Sequence, residues 1–231
     1  KGRIRRSYFR KNENDDFRRI GLILMFITFE GGEGSGKTTQ IEMLKAHFVR
    51  HGHEVITTRE PGGTPEAEKI RDLLVQREGG NWTPLAEVML FFTARHMHVE
   101  TKIKPALREG SIVICDRFTD STIAYQGYGH GFDLQILNDI KTMSIGDFEP
   151  DITFILDIDV KDGLARAGKR MANHDDATTE DRFERLKTDF HERLRQGYLS
   201  IANHHPQRCI VLDATQNIED VHSQIISAIQ L

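Results

Sequence analysis

The chain reads Phe26-Ile27-Thr28-Phe29-Glu30-Gly31-Gly32-Glu33-Gly34-Ser35-Gly36-Lys37-Thr38-Thr39 over residues 26–39. Residues 26–30 make a short β-type apolar run that stops at glycines, and a helical pattern begins at Thr38. Between them, residues 31–38 fit the spacing G-x-x-x-x-G-K-[ST]. The glycines let the backbone curl so that successive N–H groups point inward at phosphate oxygens. The helix opening near Lys37 adds the positive end of its dipole. Lys37 reaches the outer phosphates as a point charge, and the Thr38 hydroxyl is offered to Mg²⁺. The bland alternative is a Gly-rich turn ahead of a helix. It does not explain why Lys and Thr both stand at the positions a polyphosphate cradle requires.

Downstream, residues 38–51 carry Ile41, Leu44, Phe48 and Val49 on one helical face. Further β-type runs fall at 54–58, 111–115, 152–156 and 209–212. The 111–115 run is apolar almost throughout, the mark of a strand buried on both faces. Helical patterns occupy 85–107, ending near Pro105, then 182–203, and finally 217–229, with Asn217 as N-cap. Strands separated by helices imply parallel pairing through right-handed crossovers. The expected fold is α/β: a three-layer P-loop NTPase fold with a five-stranded parallel sheet flanked by helices. Ligands on such a sheet lie beyond the carboxyl ends of the strands. Three polar segments fall there: residues 31–38, Arg59-Glu60-Pro61-Gly62-Gly63-Thr64, and Asp116-Arg117.

Composition narrows the classes. A net charge of -4 argues against a nucleic-acid binder that relies on bulk positive charge. With 231 residues and 38% hydrophobic content, the chain is long enough to bury a sizeable core. No apolar run approaches the length of a membrane span. Cys115 and Cys209 sit in apolar runs and read as buried thiols, which implies a reducing, cytoplasmic location. The eleven histidines do not fall at metal-ligand spacing. Residues 1–24 interleave basic with polar and acidic side chains, and Gly21-Leu22-Ile23-Leu24 is too short for a signal-peptide core. They read as a leader, poorly ordered or upstream of a natural start at Met25, with the domain spanning 25–231.

The remaining polar positions have physical readings of their own. Arg59 ends the second strand beside a Pro-Gly-Gly turn, where a guanidinium can clamp a phosphate bidentately. A solvated loop arginine is the alternative. Phe91 and Arg95 share a helical face, and for Phe91 ordinary core packing competes with a ligand contact. Asp116 follows the apolar strand and is placed to organise Mg²⁺, directly or through water, while Arg117 balances charge on a second phosphate. An ion pair between Asp116 and Arg59 is the structural alternative. Arg166, Lys169 and Arg170 recur at helical spacing, which also describes a solvated basic face.

Taken in order, these pieces resemble thymidylate kinases of the bacterial type. The resemblance covers 25–231 and rests on residues 26–39, Arg59 to Thr64, Leu90-Phe91-Phe92-Thr93-Ala94-Arg95, Asp116-Arg117-Phe118 with Ser121, Thr122, Tyr125 and Gln126, and Asp157 with Gly163-Leu164-Ala165-Arg166. It implies transfer of the γ-phosphoryl group of ATP to dTMP, giving dTDP and ADP in dTTP biosynthesis. ATP would lie on Gly31, Gly32, Glu33, Gly34, Ser35, Gly36, Lys37, Thr38 and Thr39, with Mg²⁺ on Thr38 and Asp116. Arg59 would hold the dTMP phosphate, Phe91 would stack on thymine, and Arg95 would bond a base carbonyl. Arg117 would neutralise the acceptor phosphate. Ser121, Thr122, Tyr125 and Gln126 would line sugar and base, Tyr125 against the deoxyribose. A lid at about 163–181 would fold Arg166 or Arg170 over the ATP phosphates, and Glu33 would reach the sugar hydroxyl of dTMP. The family likeness also implies a homodimer packed through helices on one side of the sheet. Residues 171–180 depart from the pattern, being longer and more acidic.

The implied chemistry needs no general base, because the acceptor phosphate is largely a dianion at neutral pH. Other users of the cradle are disfavoured: the chain has neither an Asn-Lys-x-Asp guanine reader nor the Ser-Gly-Gly signature of transporter ATPases.

Overall fold

The computed structural model describes residues 25–76, 80–172, 182–183 and 186–229, with the side chains of 170–172 outside that description. Residues 1–24 and 173–181, which include the leader and most of the lid segment, lie outside it too. Five strands form one sheet: β1 (Phe26–Glu30), β2 (Val55–Arg59), β3 (Ile112–Asp116), β4 (Ile152–Asp157) and β5 (Cys209–Asp213). All pair in parallel, in the order β2-β3-β1-β4-β5. β1 is central, and all five of its residues are buried. The expected parallel sheet and its helical layers are both present.

Alternation along the strands builds the layers. On one face Ile27, Phe29, Ile114 and Phe154 pack against Ile41, Leu44 and Phe48 of α1 (Lys37–Arg50) and against Val221 and Ile225 of α9 (Ile218–Ala228). On the other face Phe26 and Val113 pack with Val99, Ile103, Phe118 and Phe148. There Phe26 lies edge-on to Phe118 at 5.0 Å and stacks on Phe148 at 5.4 Å. Ile155 of β4 meets Leu194, Tyr198 and Ile201 of α8 (Thr188–His204) on that second side. Each such side chain contributes about 1.5–3 kcal/mol by leaving water.

Four further helices complete the fold, α2 (Pro65–Val75) and α6 (Leu134–Ile145) packing on α3 (Pro84–His98), and α7 (Val160–Ala172) on α8. Short turns of α-helix, α4 (Lys104–Arg108) and α5 (Thr119–Thr122), adjoin π-helical stretches at Val99–Ile103 and Ile123–Gly129. The helical run expected over 85–107 is present, with a π-helical stretch inside it. Pro105 does not end it but stands in the first turn of α4, where its missing N–H is not needed. The helix expected from 182 starts later, at Thr188, because Arg182 and Phe183 turn inward toward Glu87 and Phe91.

The register aligns the carboxyl ends of the strands. Asp116 is level with Phe29 and Arg59, and Asp157 with Asp213. The polar segments after β1, β2 and β3 therefore emerge along one edge.

Candidate active site

The cradle between β1 and α1 is built of backbone. Gly36 caps α1 in a left-handed conformation, φ 91°, and no side chain satisfies the first-turn N–H groups. The first turn also carries no acidic residue. Those N–H groups and the helix dipole are thus available to an anion. Lys37 Nζ donates to the Gly31 and Gly32 carbonyls at 3.2 and 3.0 Å and to Ser35 Oγ at 3.4 Å. Burial, and then the nearby Arg117 charge, lower its pKa. Gly34 abuts α7: a Cβ there would come within 2.1 Å of the Gly163 carbonyl oxygen, so only glycine fits.

The second half of the site lies across β3. Arg117 has a left-handed backbone, φ 68°, rare for a non-glycine residue and found where the surroundings over-determine it. Its backbone N–H donates to Phe29 O at 2.9 Å. Its guanidinium donates to Gly31 O at 3.0 Å, Tyr198 Oη at 3.1 Å, Ser121 Oγ at 3.3 Å and Glu33 Oε1 at 2.8 Å, and lies over the Tyr125 ring. Glu33 Oε1 also accepts from Tyr125 Oη at 2.7 Å. The cradle residue Glu33 is thereby joined to the second pocket through Arg117 and Tyr125.

Arg95 is almost fully buried and held from three sides. Its Nε donates to Glu60 Oε2 at 2.7 Å, and Nη2 donates to Phe118 O and Thr122 Oγ1 at 3.1 and 2.9 Å. His98 Nδ1 meets the other Glu60 oxygen at 2.9 Å, and Thr58 Oγ1 meets His98 Nε2 at 2.7 Å. Arg59 is half exposed and pairs with Glu68 at 3.2 Å, not with Asp116. Phe91 packs on Leu74 and Val75, with Phe183 at a ring distance of 6.4 Å.

One cleft of about 740 Å³ joins these groups. It is lined by Lys37, Thr38 and Thr39 on one side, by Arg59, Phe91, Arg95 and Gln126 on the other, and by Asp116, Arg117, Ser121, Thr122 and Tyr125 between them. Such a volume lies within the range of ligand-binding clefts. Three buried polar atoms of its lining have no protein partner among the described residues: Arg95 Nη1, Gln126 Oε1 and Asp116 Oδ1. Gln126 Nε2 donates to Glu87 Oε1 at 3.1 Å, which fixes the amide with its oxygen as the unmatched atom. Buried groups left so cost stability unless a ligand pairs them. Arg166 lines the cleft and donates to Ala214 O at 3.0 Å. The side chain of Arg170 is outside the described residues.

Sequence reasoning assigned no role to several of these groups. Glu30 is wholly buried at the end of β1, where Oε1 accepts from Phe118 N at 2.8 Å. Its Oε2 accepts from Ser121 Oγ at 2.5 Å and Tyr198 Oη at 3.2 Å. Burial first, then the Asp120 charge, push its carboxyl up to about 7. Burial would raise Asp120 likewise, but Arg208, at 2.6 and 2.8 Å, holds it below the usual carboxylate range. Glu60 and His98 were also missed, although Glu60 lies inside the quoted motif. Phe183 and Arg71 line the cleft from outside any motif.

The fold, the backbone cradle and a second cation-lined pocket on the same edge define a P-loop phosphotransferase with two substrates. The thymidylate kinase family model matches residues 29–225. A thymidylate kinase of Desulfovibrio desulfuricans is 46% identical over 206 residues, covering 89% of this chain and 95% of the relative. One from Geotalea daltonii is 43% identical over 204 residues, covering 88% and 95%. The crystal structure of thymidylate kinase from Ehrlichia chaffeensis is similar with a TM-score of 0.69 at 38% identity, covering 89% of this chain and 98% of that one. The chain belongs to the thymidylate kinase family. Its reaction is transfer of the γ-phosphoryl group of ATP to dTMP, giving dTDP and ADP for dTTP synthesis.

Proposed function

We propose that the cleft performs this transfer with the cradle as its donor half and the pocket across β3 as its acceptor half. The observation that carries the assignment is the pair of unmatched buried atoms, Arg95 Nη1 and Gln126 Oε1. One is a donor and one an acceptor, which complements the carbonyl and imide N–H of a thymine edge. Phe91 supplies the stacking surface beside them. Arg59 and Arg117 hold the acceptor phosphate, Ser121 and Thr122 line the wall, and Tyr125 packs against the deoxyribose, where a ribose 2′-hydroxyl would be crowded. Glu33 reaches the sugar hydroxyl.

Gly31, Gly32, Gly34, Ser35, Gly36 and Thr39 cradle the donor phosphates with backbone N–H groups, and Lys37 spans the bridging region. Two polyanions must be brought in line, so neutralisation by Lys37, Arg117, Arg166 and Arg170 is the catalytic contribution. The unmatched Asp116 Oδ1 and the Thr38 hydroxyl line the same cleft and suit Mg²⁺, which takes one or two protein ligands plus phosphate oxygens and water. When bound, the ion would offset phosphate charge. Closure of the 163–181 segment would exclude water from the donor phosphate.

A homodimer is supported by apolar side chains exposed on two adjoining helices, Leu85 and Met89 on α3 with Ile136 and Met143 on α6. Two free, buried cysteines support a reducing cytoplasmic setting. An ADP-release assay across dTMP, dUMP, dCMP, UMP and AMP tests the acceptor assignment. Strong preference for dTMP is expected, and equal rates with UMP or AMP would overturn it.

A further inference from the structure

Helix α8 follows the lid segment in sequence, yet one of its residues bonds Arg117 and Ser121 in the wall of the cleft. Tyr198 is buried, 2% exposed, with its ring in the cluster of Ile155, Leu194 and Ile201. Its hydroxyl sits among three partners of the acceptor machinery. It accepts from Arg117 Nη1 at 3.1 Å, lies 2.9 Å from Ser121 Oγ, and donates to Glu30 Oε2 at 3.2 Å. The same Arg117 nitrogen bonds Gly31 O, so Tyr198 helps fix the guanidinium relative to the cradle.

The Arg117 backbone is strained at φ 68°, and its guanidinium pairs with the Glu33 carboxylate, an oxygen that Tyr125 shares. Without the Tyr198 hydroxyl the guanidinium would keep Gly31 O, Ser121 Oγ and Glu33 Oε1. The Tyr198 hydroxyl adds a stiff anchor, fixed by a rigid ring and by a buried carboxylate.

We propose that Tyr198 is a positioning residue for Arg117, setting its guanidinium where the acceptor phosphate is received. The proposal rests on the reading of the β3 pocket as the acceptor site. Tyr198 does not itself line the cleft. Its effect should therefore show only where a phosphate is present on the acceptor.

The test compares calorimetric affinities for dTMP and for thymidine, which lacks the phosphate, in wild type, Tyr198→Phe and Tyr128→Phe. Tyr198→Phe keeps the ring and removes the hydroxyl. Its dTMP affinity should fall about tenfold, the scale of one hydrogen bond to a charged group, while thymidine affinity stays within about twofold. KM for ATP should be unchanged. Tyr128→Phe removes a hydroxyl bonded to Ser200 on the same helix at 2.8 Å, and should leave the dTMP-to-thymidine ratio at the wild-type value. A wild-type ratio in Tyr198→Phe overturns the proposal alone. A parallel loss of both affinities also overturns it, because a merely structural role lowers both together. Wild type binding thymidine as tightly as dTMP overturns the acceptor-site reading and this proposal with it.

Discussion

Replacing Glu30 by Gln tests the buried network at its centre. The carboxyl is pushed from an ordinary value of 4.5 up to about 7, chiefly by burial and then by the Asp120 charge. Such a group binds its proton more tightly in the folded chain than in the unfolded one. Its stabilising effect is therefore complete below pH 4.5 and is lost as the pH rises through about 7. At 1.36 kcal/mol per pH unit, the rise amounts to about 3 kcal/mol. Gln has the same shape, accepts from Phe118 N with its oxygen, and does not titrate. Urea unfolding of wild type and Glu30→Gln at pH 5, 6, 7 and 8 gives both stabilities by linear extrapolation. His47, His130, His205 and His222 have lowered pKa values, each first through burial, and contribute stability that grows with pH. They are common to both proteins and cancel in the difference. The Gln variant should gain on wild type by about 2.5 kcal/mol between pH 5 and pH 8. A difference that stays flat within about 0.5 kcal/mol would refute the reasoning.

Three other substitutions probe the cleft. Lys37→Ala should lower kcat by at least about a hundredfold while the thermal midpoint moves by less than about 4 °C, since Nζ bonds only cradle groups; full activity would remove Lys37 from the mechanism. Phe91→Ala should raise KM for dTMP at least about tenfold, read from initial rates at saturating ATP. Loss of the cooperative fold with dTMP affinity intact would instead make Phe91 a core residue. Gly163→Ala brings a Cβ within 2.6 Å of the Glu33 carbonyl oxygen, so the cradle must shift. Its KM for ATP should rise about tenfold with an unchanged circular dichroism spectrum, and wild-type kinetics would show that α7 yields instead of the cradle.

The central sheet was legible because its strands are short apolar runs punctuated by glycine, and because the cradle has fixed spacing. Two helices gave weaker signals. α2 opens on Thr64 and Pro65 and α6 on Asp133, each an N-cap whose side chain accepts from the following turn. Each cap directly follows a glycine-rich stretch, which masks the start of the helix. The π-helical stretch Val99–Ile103 left no mark in the hydrophobic period, so the helical run was legible but not its change of winding. Within the cleft, most residues of the spaced motifs could be named, whereas Glu30, Glu60, His98, Phe183 and Tyr198 could not. Glu30 and Tyr198 each look locally like an ordinary strand end and an ordinary core aromatic.

What separates those two groups is contact range. Arg117 bonds Ser121, four residues away, but also Tyr198, Glu33 and Gly31, at separations of 81, 84 and 86 residues. A pattern read along the chain captures the first kind of contact and misses the others. The strained Arg117 backbone exists only because the central pairing of β1 with β3 sets Phe29 O opposite its N–H and the cradle carbonyl within reach of its side chain. Pairing β1 beside β3 also brings Glu30 under Phe118 and Ser121. The sheet order thus does more than line up the two pockets. It sets a buried carboxylate of β1 against Ser121 and Tyr198, both of which bond Arg117, so a change at Glu30 acts on the cradle strand and on the Arg117 network together.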